Sequence, residues 1–220
     1  MKKANTSGEY NCNGFAIVKI FNEEQCRVLE DFAKNWVYSL LEPWVAGIDR
    51  EEIPLEKYHL WLKRLNVDHS NTFCAKNRFR CPSTEIENTI INDKTKYFFN
   101  QIGISKFEKW DDGLGSLGFR FIRPGAGDGY TLSRKYWGPA KKVVSCWIPI
   151  IGYTSEETLQ LVPGSHLKEY PKYIPKNTKF TAEEYRFKGD QSKLNFYSLS
   201  LNRGEVVFFH PKVLLTEEMR

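Results

Sequence analysis

No apolar run in this sequence approaches the roughly 18–20 residues that a membrane-spanning helix needs. The first ten residues, MKKANTSGEY, are basic but carry no apolar stretch of the signal-peptide kind. A cytoplasmic protein without a membrane partner is expected. Paired cysteine motifs are also missing. The five cysteines, Cys12, Cys26, Cys74, Cys81 and Cys146, are odd in number and form no CxxC pair. That pattern argues against a zinc site and a disulfide framework, and predicts buried, reduced thiols. Positive charge is present but not concentrated. The net charge is +5, yet a cluster such as Lys172 to Lys179 holds only three lysines. Without a basic stripe or a recognition motif, no nucleic-acid partner is expected, whereas a small anionic substrate suits the charge. Histidine is scarce, with four in all. His59 and His69 have no neighbouring donors to share a metal and read as surface or structural residues.

What is present describes one globular domain. The 220 residues are 41% hydrophobic and 15% aromatic, with six tryptophans, enough to fill a sizeable core. Asn13–Ile20 reads as a strand after a glycine turn. Asn22 and Gln25 then form a capping box, followed by apolar residues at helical spacing: Cys26, Leu29, Ala33, Trp36, Val37 and Leu40. A second helix is predicted from Thr84 to Gly103, with Ile86, Ile90, Ile91, Tyr97 and Phe98 on one face. Strands follow: 118–123, 142–151, 158–162 and 205–209, separated by Gly and Pro turns. In the strand at 142–151, Val144, Cys146, Ile148 and Ile150 are assigned to one face, Ser145 and Trp147 to the other. Helices first and short strands later predict a mainly β, α+β chain, with a strand and helical buttress over 1–117 and a β core over 118–220.

Two segments exceed generic patterning: Leu161-Val-Pro-Gly-Ser-His166, and Gly204-Glu-Val-Val-Phe-Phe-His-Pro-Lys-Val-Leu214. In this order and separation they resemble the phytanoyl-CoA dioxygenase family, and the opening Asn13-Gly-Phe through Trp36 resembles the start of that family. The resemblance implies a double-stranded β-helix, or jelly roll, with the N-terminal helices packed on it. It implies Fe(II), 2-oxoglutarate and dioxygen as the reactive partners of a small organic substrate, with hydroxylation as the reaction. It also implies a ligand set: a His-x-Asp pair shortly before the Trp147 strand, a second histidine five residues after His210, and a later Arg for 2-oxoglutarate.

The chain departs from that set. Gly127–Trp137 contains no histidine, position 215 is a leucine, and the sequence ends at Arg220. Leucine has no lone pair to give a metal. Asp128, in a Gly-Asp-Gly turn, and His210 are the spare metal candidates, with Tyr130 as a third group. The turn chemistry of Asp128 and a strand-anchoring role for His210 are the alternative readings. Arg134 and Lys135 are candidates for greeting a carboxylate at the pocket entrance, joined there by Tyr130, Trp147 and His166. Three functional readings stand: an Fe(II)/2-oxoglutarate hydroxylase, a non-catalytic relative that binds a small molecule without iron, and a truncated or altered relative that lacks its last strand. The last predicts an exposed sheet edge near the C-terminus.

Overall fold

A computed structural model describes residues 6–43, 54–62, 84–106, 131–135, 143–151, 159–174 and 185–216. The predicted strand at 118–123, together with Asp128, Tyr130, Trp137, His69, Cys74 and Cys81, lies outside the described residues. The chain divides into two compact units. One gathers residues 1–19, 129–148 and 154–220; the other comprises 20–128 and 149–153.

The second unit contains the helices between the first strand and the later sheets. Helix α2 (Glu23–Leu41) starts with the predicted capping box: the Asn22 side chain accepts from the Gln25 N–H at 2.8 Å, and the Gln25 side chain accepts from the Asn22 N–H at 3.1 Å. Its buried residues are Cys26, Leu29, Ala33, Val37, Tyr38 and Leu41, so Tyr38 and Leu41 replace the expected Trp36 and Leu40 at its C-terminal end. After the short helix α3 (Tyr58–Leu62), which seats the fully buried Trp61, the predicted helix from Thr84 proves to be two. Helix α4 (Thr84–Ile90) stops, and α5 (Asp93–Gln101) begins afresh, because the Asn92 side chain accepts from the N–H groups of Lys94 and Thr95. A capping side chain competes with helix continuation, and here it wins. The break re-aims the second half, burying Thr95 and Phe98 and leaving Tyr97 61% exposed.

The first unit is built from antiparallel strands. Helix α1 (Thr6–Asn13), which the sequence pattern did not announce, leads into β1 (Phe15–Lys19). β7 (Glu205–Phe209) forms the centre of one sheet, flanked by β1 and β2 (Ser145–Trp147), with Phe15 opposite Phe209 and Trp147 opposite Val207. A second sheet has β3 (Gln160–Leu161) between β6 (Tyr197–Ser198) and β8 (Leu215–Thr216). β4 (Lys172–Tyr173) pairs with β5 (Arg186–Phe187). Phe15, Val207 and Phe209 from the first sheet meet Leu161 and Leu215 from the second in one buried cluster, so the two sheets face each other across an apolar layer.

Three expectations change. The strand predicted over 142–151 is confined to Ser145–Trp147, and Trp147, not Cys146, packs against the buried cluster. The pairing explains this: Ser145 and Trp147 lie opposite Phe209 and Val207, whose side chains point into that layer. The thiols are not uniformly buried either. Cys26 is buried, whereas Cys12 and Cys146 are exposed. Third, β8 is not an open edge. It pairs with β3 on one side, and on the other with Ser133, through N–H···O bonds of 3.0 and 2.9 Å between Ser133 and Leu215. Leu214, Leu215 and Thr216 are all buried. An earlier segment of the chain thus covers the edge that was expected to be exposed.

This arrangement predicts that the Leu215 amide exchanges with solvent as slowly as that of Val207 in β7, read by hydrogen–deuterium exchange. Exchange at the rate of an unpaired edge strand would contradict the pairing.

Candidate functional site

The two sequence motifs converge on the joint between α1 and β1. Gly14 adopts φ +81°, a left-handed conformation that ends α1, and its N–H donates to the Tyr10 carbonyl at 2.8 Å. Three carbonyls at this joint then receive groups from the late motifs. The Asn13 oxygen accepts from the Gly164 N–H (2.8 Å), the Gly14 oxygen from the His210 N–H (2.7 Å), and the Asn11 oxygen from Nε2 of His166 (3.1 Å). The Val162–Ser165 turn presents the first of these donors and leads into His166. Pro163 is its second residue, Gly164 (φ +72°) its third, and the Ser165 N–H closes it on the Val162 carbonyl at 3.2 Å, a type II turn. Ser165 is fully buried, and its hydroxyl accepts from the Leu214 N–H at 2.8 Å, which ties this turn to the start of β8.

His166 and His210 are therefore brought together, their ring centroids 5.3 Å apart. The tautomers follow from their partners. A carbonyl only accepts, so His166 carries its proton on Nε2; its Nδ1 is buried with no hydrogen-bond partner and faces Gly14. His210 accepts the Lys212 N–H at Nδ1 (3.1 Å), so in the neutral ring its proton is on Nε2. Burial holds both imidazoles below their ordinary pKa. The charge of Arg134 lowers His166 further, against the opposing pull of the Asn11 carbonyl. His166, Lys212 and Arg134 add to the effect on His210.

Arg134 and Lys135, proposed together at an entrance, are separated. Ser133 pairs with Leu215, so the residues flanking Ser133 lie on the opposite side. On that side Leu132 joins Val162, Phe187 and Leu214 in a second apolar cluster. The Arg134 side chain is wholly buried, and its guanidinium donates to the Ser165 carbonyl at 2.6 Å and to the Lys168 carbonyl. It stacks over Tyr170 at 5.1 Å and reaches Glu169 at 3.8 Å, while Lys212 reaches the same carboxylate at 3.4 Å. Arg134 is thus a strut beneath the Pro-Gly-Ser-His turn and not a residue open to a ligand. Lys135 is exposed. Trp147 is half-buried against the layer between the sheets. Glu169 and Lys212 were not singled out from the sequence, and Gly14 was read only as a turn before the strand. Glu169 and Lys212 gave no signal, being two charged residues 43 positions apart, whereas Asn13-Gly14 is a recognisable helix stop.

The donor chemistry does not fit Fe(II). The iron position implied five residues after His210 is Leu215, a hydrocarbon side chain seated among Phe15, Leu161 and Val207. Each of the two histidines that do meet has one nitrogen committed: His166 Nε2 donates to a carbonyl, and His210 Nδ1 accepts from a backbone N–H. Among the described residues, no three His, Cys, Asp or Glu side chains converge on a point. His59, in α3, is half-buried with its ring 6.1 Å from Tyr58, as a structural residue would be.

Two measurements test this geometry. A Cβ on Gly14 would lie 2.4 Å from both His166 Nδ1 and Val213 Cγ2, besides demanding a left-handed alanine. Gly14→Ala is expected to cost about 3 kcal/mol in urea unfolding. The histidine pair predicts a pH effect of definite sign. Both folded-state pKa values are depressed, so the unfolded chain binds protons more readily. The pair's contribution is complete above the ordinary histidine pKa and is lost as the pH falls from there through the folded values. The urea midpoint should drop on acidification from neutral pH, and His166→Gln should flatten that slope. An unchanged slope in the variant would remove His166 from the account.

Among described residues, no helix is long and apolar enough to cross a membrane. No curated protein matches the sequence significantly. The crystal structure of EvdO2 from Micromonospora carbonacea var. aurantiaca, complexed with 2-oxoglutarate, aligns with 98% of this chain and 84% of its own, at 14% identity and a TM-score of 0.48. The family model for phytanoyl-CoA dioxygenase matches residues 10–215, from inside α1 to the leucine in β8, and thereby takes in both motifs and the joint that they share. The chain belongs to the phytanoyl-CoA dioxygenase family.

Proposed function

We propose that this chain is a dioxygenase-like member of its family that takes a small organic molecule without resident iron, on a single double-stranded β-helix domain. Leu215 carries the reading. At the position where the family resemblance calls for a metal-binding histidine, this chain has a side chain with no lone pair, held in the apolar layer between the sheets. A leucine there stabilises the fold as core and gives a metal nothing. The ligand is a small or medium organic molecule, and the mildly basic balance of +5 suits an anionic one. Acyl-CoA does not follow from the family's name. The protein is assigned to the cytoplasm, with no nucleic-acid or membrane partner, from its scattered charge and unpaired cysteines.

A second reading, the active hydroxylase, is favoured by the family match across residues 10–215. In that reading Fe(II) and 2-oxoglutarate would support hydroxylation of a C–H bond, and 2-oxoglutarate would lose CO2 to give succinate. The donors left to it are His210 and Asp128. Tyr130 would be a third group, with Lys135, Trp147 and His166 toward the substrate.

One experiment separates the two. Fe(II) and 2-oxoglutarate are added without oxygen while the visible spectrum is followed, and air is then admitted and succinate assayed. The expected outcome is no charge-transfer band and no succinate. A band together with stoichiometric succinate would establish the hydroxylase.

A further inference from the structure

The strand register identifies more than the loss of one ligand. Ser133 and Leu215 exchange both backbone hydrogen bonds, at 3.0 and 2.9 Å, so they stand opposite each other and direct their side chains to the same side. Their Cβ atoms are then about 4.5–5.5 Å apart, close enough for two longer side chains to share one ion with metal–nitrogen bonds of about 2.0–2.2 Å. Lys135 is two residues beyond Ser133, at a bend, and is exposed. If position 215 is the place of one histidine, its neighbour on the side that precedes the Trp147 strand, where the resemblance puts the His-x-Asp pair, is the segment Ser133-Arg134-Lys135. The interval between Ser133 and Lys135 is that of a His-x-Asp pair. Asp128 is five residues before this rung, whereas Arg134, between the two, points away into the buried strut beneath Ser165.

We infer that the family's three-donor site is replaced position by position in this chain, by Ser133 for the first histidine, Lys135 for the carboxylate and Leu215 for the second histidine. Each replacement removes metal affinity by a different route. A serine hydroxyl is a weak neutral donor, leucine is no donor, and lysine at a carboxylate's place changes the local charge from −1 to +1. Two positive charges, a divalent cation and an ammonium, do not share one rung without a counter-ion. This deepens the iron-free reading and rests on it.

The test is a restoration. Wild-type protein and the triple variant Ser133→His, Lys135→Asp, Leu215→His are titrated with Co(II), whose visible absorption reports nitrogen and carboxylate ligation. Folding is followed in parallel by circular dichroism and a thermal melt. Wild type is expected to show no such absorption, and the triple variant is expected to bind at least about a hundredfold more tightly. Leu215→His places an imidazole in the apolar layer. The double variant Ser133→His, Lys135→Asp leaves that layer intact and provides the test if the triple variant does not fold, with binding weaker than the triple site but clearly above wild type. Wild-type protein that binds Co(II) through imidazole would overturn both this inference and the iron-free reading. Folded variants that bind no better than wild type would overturn the register assignment alone and leave the iron-free reading in place.

Discussion

The joint at Gly14 is the constraint on which the rest of the β unit depends. A helix must end there and a strand begin, so the backbone turns through a left-handed conformation. The same residue must also be bare, because the His166 ring and Val213 occupy the space a side chain would fill. Gly14 therefore meets two independent demands, one conformational and one steric. The carbonyls of Asn11, Asn13 and Gly14 point outward from this joint and take donors from segments about 150 to 200 positions later. Two motifs that are 40 residues apart in the chain are thereby held to a common socket.

A buried cation supports the opposite side of the same turn. Arg134 satisfies the Ser165 and Lys168 carbonyls, and the Ser165 hydroxyl takes the Leu214 amide. The guanidinium suits this work because it has several fixed donors and stays charged when desolvated. Glu169 lies toward solvent and offsets part of the charge from there. The consequence for the site is local: the positive strut and Lys212 lie beside the two imidazoles and oppose their protonation. Burial, the main cause, acts in the same direction. The histidine pair is thus a structural pair in a positive setting, which is a poor place to recruit a divalent cation.

The sequence made much of this legible where local chemistry decides. The Asn22–Gln25 capping box, the strand before it, the β7 strand and the Pro-Gly turn were all readable, because each is set by residues within four positions of one another. The pairing of the Pro-Gly-Ser-His and His-Pro segments was readable only as a family pattern, and they do meet. What the sequence did not disclose depends on partners far along the chain. Asn92 breaks a helix whose apolar period runs through it. Trp147 rather than Cys146 turns inward because β7 sets the register. Arg134 looked like a surface cation until the carbonyls above it were in place. Asp128 drew attention as the nearest carboxylate to a missing motif, whereas the strand partner of Leu215 is a serine five residues later.

On the iron-free reading, Leu215 lets the fold stand without a metal at this position. A metal-binding histidine near an apolar layer imposes a cost, since its imidazole must be desolvated and oriented, and the bound ion offsets that cost. Leucine at the same position removes the need for the ion. It joins a cluster that already contains Phe15, Leu161, Val207 and Phe209, where burying a leucine contributes about 2 kcal/mol. Ser133 stays half-buried, and its backbone still holds β8. Lys135 keeps its charge in solvent at the end of the rung. Leu215 is therefore seated by apolar contacts alone and needs no ion. A site that had merely lost one ligand would leave the other two as unsatisfied polar groups near the core. Positions 133, 135 and 215 are serine, lysine and leucine, so no histidine or carboxylate stands at any of the three.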